Sequence, residues 1–447
     1  MPDAAPAPET DAPTDAAASG GCGIVWSDDL CEYDFGPYHP MSPVRLSLTR
    51  ELARCAGVLD RPGVRTIEPV VATDEQLGAV HDPDYVAAVR AASAPREQLR
   101  HDRDEGDGDD GGAGDGVDAD DDGAARFEHL IRFGIGGDDV PAFPGMHTAS
   151  ARIAGGSIAA VDAIRSGQVR RAVNIAGGLH HARPASASGF CVYNDAAIAI
   201  RHALDQGEER VMYVDVDVHH GDGVELALWD EPRAVTLSVH ETGERLFPGT
   251  GFVQDTGGAD ARGTAINVPL PPRTTADGWV RAIRATVPAL VRAVKPTLLV
   301  TQHGADTHRV DPLADFSVTL EAHREVMMLL RELADEVCDG RWLALGGGGY
   351  AVIDVVPRSW AQLLAVASGD AIDPSTPLPL TYLEAESRVR GEHGLSPEPA
   401  IRIYGDGRPL SVRDWENGFD PEDALDRAIQ AARRGAFPEW GLDPFVD

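Results

Sequence analysis

Apolar residues recur along this chain at two spacings. Over residues 149–166, 194–206, 276–294, 320–338 and 358–367 they return every three or four positions, which predicts amphipathic helices. Between these stretches lie short, nearly unbroken apolar runs, "AVNIA" at 172–176, "VMYVDVDV" at 211–218, "AVTLSV" at 234–239, "TLLVT" at 297–301 and "WLAL" at 342–345, which predict buried strands. Strands alternating with helices predict an α/β fold, a single-domain open parallel sheet flanked by helices. Each of these runs leads into polar or glycine-rich sequence: "GGLHHA", "HHGDG", "HETG", "QHGAD" and "GGGGY". Ligands of open parallel sheets bind outside the carboxyl ends of the strands, so the active site is expected at that edge.

The run at 211–218 carries the most chemistry. Val214, Val216 and Val218 alternate with Asp215, Asp217 and His219, and a period of two puts the three polar side chains on one face of one strand. Buried carboxylates are costly unless they are paired or bound to a metal. Asp217 and His219, joined by Asp306 at the end of "QHGAD", offer one imidazole and two carboxylates with an open position. That set suits catalytic Zn²⁺ or another divalent first-row ion such as Fe²⁺; a structural Asp/His network is the competing reading of Asp217 and His219 taken alone. Asp215 and Asp222 are then placed to orient imidazoles. His180 and His181 follow Gly177 and Gly178 at another strand end, and with two spare aspartates at hand they read as a general-base pair. The run Gly346 to Gly349 has neither a G-K-[ST] ending nor a G-x-G-x-x-G helix entry, so it is not a phosphate loop. It reads as a hinge that presents the Tyr350 hydroxyl as an oxyanion donor.

Composition narrows the setting. The formal net charge of −33 argues against nucleic acid and anionic membrane as partners, and Lys295 is the only lysine. The five cysteines show no C-x-x-C spacing, which fits a reducing cytoplasm without disulfides or a cysteine zinc site. Residues 1–20 are an Ala/Pro/Asp tail with no basic and apolar regions of a signal peptide, and no stretch is apolar for the length of a membrane span. A second low-complexity segment near 100–125, rich in Asp and Gly, reads as a solvated insert within a catalytic domain over 21–370; it lacks the closing Glu of a calcium loop. Residues 371–447 read as a C-terminal extension packed on that domain.

Six ordered motifs, "GGLHHA", "GFCVYND", "VDVDVHHGDGVE", "HETGERLFPGTG", "QHGADTH" and "GGGGY", resemble the zinc-dependent histone deacetylase family, whose fold is arginase/deacetylase-like. The segments "YDFGPYHPMSPVRLSLTRELA" and "DDVPAFPGMHTASARIAGGS" are similar to its bacterial acetoin-utilization type. The resemblance implies zinc at Asp217, His219 and Asp306, His181 as general base oriented by Asp222, His180 as its electrostatic partner oriented by Asp215, and Tyr350 as the transition-state hydroxyl. It implies Gly189, Phe190 and Phe247 as walls of an acyl-lysine tunnel, Asp139 (with Asp138 adjacent) as the rim carboxylate that holds substrate amides, and Arg45 at the inner cavity where acetate leaves. Core aromatics are the competing reading of Phe190 and Phe247, and an Arg after a Pro-rich turn, as Arg45 is, more often serves as a surface ion-pair partner. A structural K⁺ held by Asp215 and by carbonyls near Asp217, His219, Ser238 and Val239 is implied as well. The expected substrate is acetyl-lysine in proteins, an acyl-CoA-forming synthetase among them, with acetylated polyamines as the alternative. An arginase-like binuclear hydrolase needs a carboxylate two positions beyond His219, where this chain has Gly221, so one transition-metal site is expected. A non-catalytic acetyl-lysine reader would lack a ligand, the base or the tyrosine, and all are present.

Overall fold

A computed structural model describes residues 20–94, 128–399 and 401–446. The N-terminal tail, apart from Gly20, and the acidic insert lie outside the described residues. Eight parallel strands form one sheet in the order β2-β1-β3-β8-β7-β4-β5-β6. They are β1 (Cys22–Val25), β2 (Val64–Ile67), β3 (Arg171–Asn174), β4 (Val211–Asp215), β5 (Ala234–Glu241), β6 (Ala265–Leu270), β7 (Leu298–Gln302) and β8 (Trp342–Leu345). Strands β4, β7 and β8 are buried along their whole length, which is why they read as unbroken apolar runs. The chain is a single open parallel α/β sheet flanked by helices, as the alternation of runs predicts.

Some helices begin where a side chain takes up an orphan N–H group. Asn194 caps Asp195–Asp205 by accepting the Ala197 N–H, and Thr275 caps Ala276–Val294 by accepting the Gly278 N–H. Other helices from the periodic stretches run over Met146–Arg165, Leu320–Val337 and Val356–Ala367. Val356–Ala367 is buried at every position, wedged against the helices Val44–Cys55 and Leu320–Val337.

Residues beyond 370 share this core. The helix Leu380–Glu392 packs on Val44–Cys55, and Ala424–Ala436 packs on β6 and Ala276–Val294, with Tyr382, Ile429 and Phe437 fully buried. Arg281 forks onto Asp426 with bonds of 2.8 and 3.0 Å inside that contact.

One strand differs from the sequence reading. The alternation through "VMYVDVDV" predicts a strand to residue 218, but β4 ends at Asp215 and a bend carries Asp217 and His219. Val216 and Val218 keep backbone bonds to Gln302 O and the Glu241 N–H at 3.1 and 2.9 Å, but side chains take the N–H groups between: the Asp215 carboxylate accepts the Asp217 N–H at 3.0 Å, and the Asp217 carboxylate accepts the His219 N–H at 3.0 Å. Such aspartate bonds to the backbone two residues on compete with strand pairing.

Candidate active site

Four adjacent strands, β3, β8, β7 and β4, deliver the polar residues from their carboxyl ends. His180 and His181 follow β3, Tyr350 follows β8, Asp306 follows β7, and Asp217, His219 and Asp222 follow β4. Backbone bonds stitch the loops together: Ala305 N–H donates to Gly348 O at 2.8 Å, and His303 N–H to Gly346 O at 2.8 Å. The Asp217 carboxylate accepts the Gly348 N–H at 2.7 Å, and that of Asp306 accepts the Val218 N–H at 3.2 Å.

Asp217, His219 and Asp306 converge, all buried, with ligand atoms within 4.8 Å of one another. His219 Nδ1 lies 3.3 Å from Asp217 Oδ1 and 3.2 Å from Asp306 Oδ2, so Nδ1 is the ring nitrogen turned to both carboxylates. Close approach to this group requires glycine: a Cβ on Gly304 would meet Asp217 Oδ2 at 2.0 Å, and one on Gly348 would meet Asp306 Oδ2 at 1.9 Å. The cluster demands positive charge. Burial and the neighbouring Asp217 push the Asp306 carboxyl upward, while Asp217 and Asp306 overcome burial and favour the charged form of His219. Two buried carboxylates and an imidazole with converging lone pairs fit a divalent transition ion, which would compete with protons for them.

The tandem histidines are held in opposite states. His180 Nδ1 lies 2.8 Å from Asp215 Oδ2 and His181 Nδ1 lies 2.8 Å from Asp222 Oδ1. Burial opposes the charged form of His180, but Asp215 and Asp217 outweigh it and raise it to about 9. Burial and the adjacent His180 charge lower His181 to about 3 against the pull of Asp222. The neutral His181 thus uses Nδ1 on Asp222 and leaves Nε2 as a base, beside an imidazolium that stays charged. Gly221 belongs to this geometry, since a Cβ there would meet Asp215 Oδ2 at 2.5 Å.

Aromatic rings flank the group. Phe247 stands 5.0 Å from the His181 ring and is 46 % exposed, and Phe190 meets the Tyr350 ring edge-on at 5.5 Å. Phe190 adopts φ 64°, held by the Tyr33 hydroxyl on its carbonyl at 2.7 Å, and a Cβ on Gly189 would strike the His181 ring at 2.4 Å. Neither phenylalanine is a plain core aromatic. Asp139, rather than Asp138, reaches this wall: its Oδ2 accepts the Gly189 N–H at 2.8 Å. Arg45 is not a surface ion-pair partner. It is buried, stacks on Trp360 at 4.9 Å, donates to Gly347 O at 2.8 Å, and lines a small cavity with Tyr33, Met41 and Ile153. Burial, with Asp306 and Asp217 nearby, pushes the Tyr350 phenol well above its ordinary value, so it stays a donor. Ser238 pairs with Asp215 across β4 and β5, its hydroxyl 2.8 Å from His240 Nδ1, and Val239 follows it along β5.

Three supporting residues escaped the sequence reading. Tyr213 donates to Asp215 Oδ2 at 2.7 Å; its place two residues before Asp215, on the same face of β4, was the available signal. Asp311 accepts the Tyr350 N–H at 2.8 Å. Arg183 grips Asp222 Oδ2 with bonds of 3.0 and 2.7 Å, which draws charge away from the oxygen facing His181. Removing that cation strengthens the hold of Asp222 on the His181 proton. In Arg183→Gln the acid limb of the kcat/KM profile is therefore expected at higher pH than in the wild type; an unmoved limb would separate Arg183 from the base.

A model of the histone deacetylase domain matches residues 39–367. The acetoin utilization protein AcuC of Bacillus subtilis (strain 168) is 37 % identical over 360 residues, covering 80 % of this chain and 85 % of that protein. That of Staphylococcus xylosus is 34 % identical over 361 residues, covering 81 % and 86 %, and that of Staphylococcus aureus (strain MSSA476) is 34 % identical over 339 residues, covering 76 % and 79 %. The matched span takes in the histidine pair, the Asp–His–Asp group and Tyr350, and with it the chain belongs to the histone deacetylase family.

Proposed function

We propose that the protein is a zinc-dependent amidohydrolase that removes acetyl groups from acetyl-lysine side chains of proteins and releases acetate. The observation that carries this reading is the histidine pair, His181 on Asp222 and His180 on Asp215, standing beside the buried Asp217–His219–Asp306 group. Zn²⁺ or Fe²⁺ held by those ligands would polarise the acyl carbonyl and acidify an attacking water. His181 Nε2 takes the water proton and returns it to the leaving lysine amine, with Asp222 fixing its tautomer. His180, kept charged by Asp215, stabilises negative charge developing beside it, and the Tyr350 hydroxyl donates to the oxyanion as the carbonyl carbon becomes tetrahedral. Phe190 and Phe247 strip water from the alkyl stem, and Arg45 lines the inner cavity by which acetate would leave. A structural K⁺ is assigned to Asp215 and to the carbonyls of Asp217, His219, Ser238 and Val239. Residues 21–370 are read as the catalytic domain and 371–447 as an extension that buttresses it. A cytoplasmic setting is part of this reading; among the described residues no helix is long and apolar enough to cross a membrane.

Acetylated polyamines are the second reading, favoured by the net charge of −33, which attracts cations. Both substrates present an acetamide on a thin stem, so the rim must distinguish them. A peptide brings backbone N–H groups for Asp139, whereas a polyamine brings a distant ammonium. Steady-state kcat/KM for an acetyl-lysine peptide should exceed that for acetylputrescine and acetylspermidine. Asp139→Ala should reduce mainly the peptide rate, by about 10-fold or more, the equivalent of a charge-assisted hydrogen bond of roughly 1.5–3 kcal/mol. Polyamines favoured by tenfold or more would overturn the protein-deacetylase reading.

A further inference from the structure

Tyr350 follows four glycines, and two of them, Gly347 and Gly349, have φ values of 127° and 142° that other residues rarely adopt. Such a run fixes nothing by itself. Its carbonyls are held on one side by Arg45, which donates to Gly347 O at 2.8 Å and Gly349 O at 3.4 Å. Among the described residues no hydrogen bond engages the Tyr350 hydroxyl, so the placement of the phenol depends on where its backbone is pinned. That pin is a carboxylate. Asp311 Oδ2 accepts the Tyr350 N–H at 2.8 Å and the Ala351 N–H at 3.4 Å, while Oδ1 accepts the Leu313 N–H at 3.0 Å.

Asp311 is an expensive residue to keep there. It is only 7 % exposed, and among the described residues no basic side chain pairs with it; backbone N–H groups alone satisfy it. Its own N–H donates to His308 O at 2.8 Å, and His308 Nε2 lies 2.8 Å from Asp406 Oδ2, so the turn that carries it is anchored through the C-terminal segment. It comes from the loop after β7, five residues beyond Asp306, and thus ties the tyrosine after β8 to the loop that supplies a metal ligand.

We propose that Asp311 is a positioning residue that sets the Tyr350 hydroxyl at the height of the reacting carbonyl; the proposal rests on the reading of Tyr350 as oxyanion donor. Asp311 touches no reacting atom, so its effect should vanish when that hydroxyl is absent. The test is a double-mutant cycle on the metal-loaded full chain with an acetyl-lysine peptide: wild type, Asp311→Asn, Tyr350→Phe and both together. Asp311→Asn should lower kcat roughly 10- to 100-fold, the scale on which a misplaced group slows a reaction, with KM within about threefold and metal content unchanged. In the Tyr350→Phe background the same substitution should cost less than about twofold, a factor that supports the coupling. An equal loss in both backgrounds, or none in the wild type while Tyr350→Phe is impaired, overturns the proposal alone. Tyr350→Phe at the wild-type rate overturns the reading beneath it, and the proposal with it. Asp311→Ser, which retains an acceptor oxygen, replaces Asp311→Asn in the cycle if the latter does not fold; if neither folds, the carboxylate belongs to the fold and the proposal is overturned.

Discussion

Asp217→Ala and His219→Ala are expected to purify without a transition metal and to hydrolyse acetyl-lysine peptides at close to the background rate. The wild type is expected to carry one equivalent. Each substitution deletes one corner of a three-residue group whose ligand atoms lie within 4.8 Å of one another, and the remaining pair cannot close around a cation. Asp217 also does backbone work, accepting the N–H groups of Gly348 and His219 at 2.7 and 3.0 Å, so its loss loosens the glycine run before Tyr350 as well. His219→Ala leaves those two acceptor bonds in place and is the cleaner removal of a ligand. A loss in kcat/KM on the order of 10³ or more is expected from either, a fraction of the 10⁶-fold or greater acceleration typical of enzymes. Elemental analysis beside steady-state rates checks this, and a metal-free variant with wild-type activity would remove the ion from the chemistry.

Tyr350→Phe is expected to lower kcat by about 10²- to 10³-fold while the metal stays bound, the range seen when one oxyanion donor is removed. The ring is kept, so its edge-on contact with Phe190 at 5.5 Å survives. Burial, Asp306 and Asp217 hold the phenol protonated far above neutral pH, which means the loss should be the same across the neutral range and should not appear as a shifted basic limb. KM should move little, because the hydroxyl engages the carbonyl most strongly as charge develops on it. A kcat within twofold of the wild type would remove Tyr350 from the reaction.

The residues of this site could be read early because chemistry and topology coincide. Gly, His and Asp at the ends of apolar runs stand out against the Val and Leu that fill a parallel sheet, and the five runs proved to be strands at the heart of the fold. The thin edges were harder. β1 has four residues, β2 is "VRTI" with Arg65 and Thr66 exposed, and β6 carries Pro269, which an edge strand tolerates because its outer N–H has no ladder partner. Alternation also overran the true end of β4, since period-two patterning cannot distinguish a strand from a bend whose aspartates bond their own backbone. Tyr213 on Asp215 leaves a spacing signal, but an aromatic on a buried strand reads first as core. Tertiary partners such as Arg183 on Asp222 and Asp311 on the Tyr350 backbone leave none, because each joins loops far apart in sequence. The same holds for the C-terminal segment. Its Asp406 and Asp426 look like surface acids in an acidic chain, yet their side chains are fully covered where they meet His308 and Arg281.

The proposed chemistry turns on one catalytic ion at Asp217, His219 and Asp306. Gly221, which packs so tightly on Asp215 that a Cβ would approach its carboxylate to 2.5 Å, leaves no side chain to bridge a second. The direct measurement is a titration of chelator-stripped protein with Zn²⁺ at constant K⁺, following acetate release from an acetyl-lysine peptide. Activity is expected to be absent at the start, to rise linearly and to plateau at one equivalent per chain. Full activity in the stripped protein, or a plateau only at two equivalents, would contradict a mononuclear metal-dependent deacetylase.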